Sequence, residues 1–130
     1  MTEKLRILVL DDEPIVGSRL KPSLEKVGYI VDNFVDSREA LKTLRETRYD
    51  IIVTDLKMAY VDGMEVHRFA KERWPDSVVI IITGFATVET AREALQSGVY
   101  DFIAKPFKIS QLRDVIQKAA ATITKPGKEG

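Results

Sequence analysis

The chain has 130 residues, 45% hydrophobic and 31% charged, which suits one compact domain with a buried core and leaves no room for a second of ordinary size. This balance excludes disordered and collagen-like chains, and twenty basic residues against twenty acidic ones create no net field to draw the domain onto nucleic acid. With no cysteine, disulfide frameworks, thiolate metal sites and cysteine nucleophiles are excluded.

The apolar stretches are far shorter than the ~18 residues needed to cross a bilayer, and the N-terminus opens with mixed charges. The expectation is therefore a cytoplasmic protein with no membrane partner and no direct nucleic-acid binding.

In chain order, the apolar pattern predicts strand 5–10, helix 14–27, a weaker strand 30–34, helix 37–47 and strand 50–54. Helix 63–73, strand 78–82, helix 86–97, strand 100–103 and helix 108–122 follow. Near-continuous apolar runs such as Val78-Val79-Ile80-Ile81-Ile82 suit parallel strands covered on both faces, and Leu41 with Leu44, or Val88, Ala91 and Leu95, have helical spacing. Gly28 and Gly98 stand where helices should stop. Pro22, inside the first helix, predicts a kink or local loosening. These five βα units form an α/β fold, an open doubly wound parallel sheet with helices on both faces and its ligand crevice beyond the carboxyl ends of the strands. The domain is expected to occupy 1–123, with 124–130 a flexible tail or the start of a linker.

The chemistry collects where the apolar runs end. The first ends in Asp11-Asp12-Glu13, the third in Asp55, the fourth in Thr83 and the fifth in Lys105-Pro106. Clustered carboxylates repel one another, by about 4 kcal/mol per pair at ~4 Å and an effective dielectric of ~20. Three carboxylates against one lysine leave a surplus of two negative charges, which one divalent cation cancels. Hard oxygen ligands partly open to water suit Mg²⁺, and a neutralised site can accept a phosphoryl group on Asp55 as nucleophile. Each residue alone also has an ordinary structural role. Asp12 could cap the first helix, Asp55 could form an Asx-turn, Thr83 could end a strand and Lys105 could be a solvated charge. Their joint position at successive strand ends favours a site.

These residues resemble the receiver domain of two-component response regulators over 5–122. The resemblance rests on Val9-Leu10-Asp11-Asp12-Glu13-Pro14, Thr54-Asp55-Leu56-Lys57-Met58 with Asp62-Gly63, Ile82-Thr83-Gly84 and Lys105-Pro106-Phe107. It implies the flavodoxin-like strand order 2-1-3-4-5. It further implies that Asp55 is the phosphorylated aspartate, with Asp11, Asp12, Asp55 and the Lys57 carbonyl around Mg²⁺. Thr83 and Lys105 are then the groups that meet the phosphoryl oxygens, and Thr83 and Phe102 the switch pair. The stretch from Gly84 to Ala91, with Ala94-Leu95 and Tyr100-Asp101-Phe102, is similar to receivers of nitrogen-regulation-type transcriptional activators.

The implied partners are a sensor histidine kinase or phosphotransfer protein, docking near Ile15, Arg19, Pro106 and Phe107, and an output partner or second copy. The latter would use the face of helix 86–97, strand 100–103 and helix 108–122. The implied activity is that of a phosphoacceptor switch that catalyses only its own phosphotransfer and dephosphorylation.

Two positions depart from the family pattern. Ala59 follows Met58 where proline is common, predicting a less rigid loop, and Phe102 lacks the hydroxyl of the frequent tyrosine. His67, the single histidine, lies among Glu65, Arg68 and Lys71 and is expected at the surface. Two rival readings remain. One is a degenerate receiver serving only as an interaction module. The other is a Mg²⁺-dependent aspartyl phosphohydrolase, for which Lys57 stands where a second acid is usual.

Lys57, two residues after Asp55, is placed to influence attack of water on a phosphorylated Asp55. Lys57→Ala is expected to change the dephosphorylation rate, followed by decay of the labelled protein, and an unaltered rate would refute that role.

Overall fold

In the computed structural model, which describes residues 4–123, five parallel strands form one sheet in the order β2-β1-β3-β4-β5. Strands and helices alternate as β1 (Arg6–Leu10), α1 (Pro14–Val27), β2 (Ile30–Phe34), α2 (Ser37–Glu46), β3 (Ile51–Asp55), α3 (Gly63–Arg73), β4 (Val78–Thr83), α4 (Val88–Gln96), β5 (Asp101–Ala104) and α5 (Ile109–Thr122). This is the expected α/β architecture and strand order. The chain pairs β2 on one side of β1 and β3 on the other, so a crevice opens beyond the carboxyl ends of β1 and β3.

Side chains of a strand alternate between faces, and here both faces are dry. Ile7, Val9, Ile51, Val53, Ile80 and Ile82 share one cluster with Leu20 and Leu24 of α1 and Leu112 and Ile116 of α5. Leu8, Leu10, Ile52, Val79 and Ile81 share the other with Ala40 and Leu44 of α2, Val66 and Ala70 of α3, and Ala94 of α4. That division explains why the strand sequences read as unbroken apolar runs rather than alternating ones.

Boundaries differ from the expectations by small shifts with local causes. The third strand extends to Asp55 and the fourth to Thr83, so each is the last residue of its strand, Asp55 opposite Ile82 and Thr83 opposite Ala104. The helix expected at 86–97 begins later, at Val88, because Thr87 and Thr90 form a reciprocal capping box. Gly28 ends α1 with φ 113°, a left-handed conformation that glycine adopts without a Cβ clash, and Gly98 follows α4 with φ 100°. Pro14 opens α1, and the helix runs unbroken through Pro22, with buried Leu20 and Leu24 on either side of it seated against the sheet. The kink or local loosening expected there does not interrupt the helix. The tail expected at 124–130 lies outside the described residues.

His67 is a correction. It is 2% exposed, on the inward stripe of α3 with Gly63, Val66 and Ala70, and its Nε2–H donates to Ser97 O at 2.9 Å. Its charged neighbours in sequence occupy the outward faces, which is why linear context misplaced it.

Tyr49, just before β3, is buried and its hydroxyl donates to Asp32 on β2 at 2.5 Å. Burial, reinforced by Asp32, pushes its pKa from 10.0 up to about 12. The fold therefore favours the protonated phenol. This contribution is intact below about pH 10 and is lost as pH rises towards about 12. Urea unfolding across that window is expected to show a shallower alkaline decline for Tyr49→Phe than for the parent protein; parallel declines would refute it.

Candidate functional site

Parallel strands end together, so residues distant in sequence share one edge. Asp11 follows β1, Asp55 closes β3, Thr83 closes β4 and Lys105 follows β5. The β4–β5 register sets Thr83 opposite Ala104, and Lys105 N–H donates to Thr83 O at 2.8 Å, which fixes where the lysine departs.

Lys105 Nζ lies 2.8 Å from Asp11 Oδ2, 2.9 Å from Glu13 Oε1 and 3.0 Å from Asp55 Oδ2. The contacts to Glu13 and Asp55 are aligned hydrogen bonds, whereas that to Asp11 is an ion pair by distance. Asp11 and Asp55 are buried, and Asp12 and Glu13 are exposed. One oxygen from each of Asp11, Asp12 and Asp55 lies within 4.8 Å of the others. Counting Glu13, four carboxylates meet one ammonium, a surplus of three negative charges. Glu13 is missing from the charge count made on sequence alone; its side chain is 67% exposed, so water screens much of its charge.

Burial pushes the Asp55 carboxyl above its ordinary pKa, the Lys105 hydrogen bond pulls it back, and the nearby Asp11 charge pushes it up again. For Lys105 burial disfavours the ammonium, but Asp11, Glu13 and Asp55 outweigh it and hold the proton more tightly than in free lysine.

Local geometry keeps the acids in place. Asp11 Oδ1 accepts from Glu13 N–H at 2.9 Å, an Asx-type turn ahead of the helix, and the helix cap considered for Asp12 is not formed, since Glu13 is the N-cap residue and makes no side-chain cap. Below Asp55, Leu56 N–H donates to Ile82 O at 2.9 Å, and Gly63 N–H donates to Leu56 O at 2.8 Å. A Cβ on Gly63 would stand 2.3 Å from the Asp55 carbonyl oxygen, so only glycine lets α3 start this close to the backbone of Asp55.

Other expected site residues are near but differently engaged. Thr83 is fully buried and its Oγ1 accepts from Phe85 N–H at 2.9 Å. Phe102 is half-buried against the Leu8–Leu10 cluster on the α4 side. The Lys57 side chain is exposed. Sequence reasoning missed Ser37, which is 2% exposed and donates through Oγ to Ala59 O at 2.8 Å. Its signal was weak, since a serine beginning a helix reads only as a helix start.

A family model, the response regulator receiver domain, matches residues 7–117. The chain belongs to this family, the receivers of two-component signalling. It is 34% identical over 126 residues to the transcriptional regulatory protein ZraR of Salmonella typhimurium, covering 97% of this chain and 29% of that protein. It is 33% identical over 113 residues to the transcriptional regulatory protein QseB of Haemophilus influenzae, covering 87% and 51%. The chain thus spans about half of one of these curated relatives and less than a third of the other. Among solved structures, the beryllofluoride-activated NtrC4 receiver domain dimer matches with a TM-score of 0.81 and 42% identity over 88% of this chain and 94% of that one. This agrees with the similarity to nitrogen-regulation-type receivers seen in the sequence. Among the described residues no helix is long and apolar enough to cross a membrane.

Lys105→Ala removes the cation shared by three acids. In Mg²⁺-free buffer it is expected to lower the urea midpoint at neutral pH, and the loss should shrink on acidification, because the unpaired carboxylates then protonate more readily in the fold than in the unfolded chain. A loss independent of pH would refute this reading.

Proposed function

We propose that this domain is a phosphorylation-controlled switch, in which Asp55 accepts a phosphoryl group from a phosphohistidine of a sensor kinase or phosphotransfer protein. The observation that carries the reading is the seat of Asp55. It is buried at the end of β3, hydrogen-bonded to Lys105 at 3.0 Å, and shares a carboxylate cluster with Asp11 and Asp12. An Asp55 oxygen attacks phosphorus in line, the P–N bond to the donor imidazole breaks, and the imidazole leaves with the electron pair.

The three acids offer hard oxygen ligands close enough to share one ion, so the donor set fits Mg²⁺. Asp11, Asp12 and Asp55 would hold it, with the Lys57 carbonyl as a further ligand. When bound, the ion neutralises charge on the transferring phosphoryl oxygens. Lys105 then exchanges part of its contact with Asp55 for the phosphoryl group. Thr83 supplies a hydroxyl on turning from Phe85, and the space it vacates admits Phe102.

A cavity of about 730 Å³ bordered by Ile15, Arg19, Lys105, Pro106 and Phe107 opens beside the acidic cluster and suits kinase docking. On the other side Val88, Leu95 and Tyr100 are exposed apolar residues of the α4–β5 region, and this face suits an output partner or a second copy. The dimeric state of the NtrC4 receiver supports the second copy. The even charge balance argues against direct binding of this domain to nucleic acid. The phosphohydrolase alternative lacks its second acid, because Lys57 occupies that position.

Incubation with acetyl phosphate should add the mass of one phosphoryl group in the presence of Mg²⁺ and not without it, and Asp55→Asn should stay unlabelled. An adduct that persists in Asp55→Asn, or no adduct on either protein, would overturn the assignment, the latter favouring an interaction module.

A further inference from the structure

The loop joining β3 to α3 leaves the sheet directly after Asp55. Its ends are held by the Leu56 and Gly63 hydrogen bonds, but between them Lys57, Ala59 and Tyr60 are exposed. Tyr60 has φ 74°, a left-handed conformation rare for a residue with a side chain, so the loop needs outside support to keep this shape. Locally a single hydrogen bond spans Tyr60, from Val61 N–H to Ala59 O, and Ala59 brings no proline ring.

The support comes from the first turn of α2, more than twenty residues upstream. Buried Ser37 Oγ donates to Ala59 O at 2.8 Å and accepts from Val61 N–H at 3.2 Å. Val61 N–H also donates to Ala59 O at 2.9 Å, so one hydroxyl closes a tight turn around Tyr60. Alongside, the Arg38 guanidinium lies 3.6 Å from the centroid of the Tyr60 ring. Asp36 orients that guanidinium through hydrogen bonds of 3.2 Å from Nε and 2.9 Å from Nη2, while its carboxylate caps α2 through Arg38 N–H. The left-handed residue is therefore gripped on its backbone by Ser37 and on its ring by Arg38.

We propose that Ser37 is a positioning residue for the phosphoacceptor site. Its hydroxyl holds the β3–α3 loop, which carries Lys57 two residues after Asp55, and so sets Mg²⁺ affinity through the carbonyl ligand proposed at Lys57. Arg38 assists through Tyr60. This rests on the proposed function, since it concerns how that site is kept assembled. It goes beyond it by assigning part of the assembly to α2, an element that contributes no ligand.

The test is titration calorimetry with Mg²⁺ alone, paired with amide hydrogen exchange of 57–61, on the parent protein, Ser37→Ala, Ser37→Thr and Arg38→Ala. Groups that orient a metal ligand typically alter affinity by 10- to 100-fold; acting through one carbonyl, loss of the Ser37 hydroxyl should weaken Mg²⁺ binding by about tenfold. Ser37→Thr, which keeps the hydroxyl, should restore affinity, and Arg38→Ala should shift it the same way by less. Acetyl phosphate labelling of Ser37→Ala should be slow at limiting Mg²⁺ and recover at saturating Mg²⁺, a split that general destabilisation would not produce. Faster exchange at Val61 with unchanged Mg²⁺ affinity would overturn the proposal. If Ser37→Ala does not fold, exposed Arg38→Ala decides on the same two readouts. Failure of the parent protein to bind Mg²⁺ would instead sink the reading of the site itself.

Discussion

Lys105 reaches from the end of β5 to carboxylates on two other strand ends, at 2.8 Å from Asp11 and 3.0 Å from Asp55, and to Glu13 at 2.9 Å. Without that ammonium, two buried acids would face each other across the β1–β3 crevice with only water to separate their charges. With it, the cluster holds together but stays short of positive charge, because one cation serves several acids. A site left in electrostatic deficit on a rigid frame is ready to gain from a cation or from a change of charge on Asp55. The chain as a whole has no net charge, so this deficit is purely local.

The frame is rigid because both faces of the sheet are covered. Isoleucine, leucine and valine from alternate strand positions fill two separate cores, one under α1 and α5 and one under α2, α3 and α4. Every strand ends at the same edge, so the packing that stabilises the domain also fixes the spacing of Asp11, Asp55, Thr83 and Lys105. The candidate site lies at the last residues of the strands and in the short segments just beyond them, where the backbone leaves the ladder. There the close approach of Gly63 to Asp55, and the grip of Ser37 on the following turn, replace sheet hydrogen bonds as the source of order.

Thr83 and Phe102 sit at the β4–β5 end of the same edge in different surroundings. Thr83 is buried at the sheet edge with its hydroxyl given to Phe85 N–H, while Phe102 lies half-buried in the cluster that also seats Ala94 of α4.

The sequence by itself determined the strands, the helices, their parallel arrangement and the acids, threonine and lysine at the strand ends. These rest on short-range rules, namely apolar runs for doubly buried strands, helical spacing of apolar residues, and glycine after helices. It also carried Asp55 and Lys105 as a pair, because a parallel sheet aligns strand ends whatever their separation along the chain. Only tertiary structure decided that Glu13 joins Lys105, that His67 turns inward, and that Ser37 grips the loop after Asp55. Each of these depends on which side of a helix or turn faces a distant segment. That direction is set by packing between elements, and no local pattern of residue types encodes it.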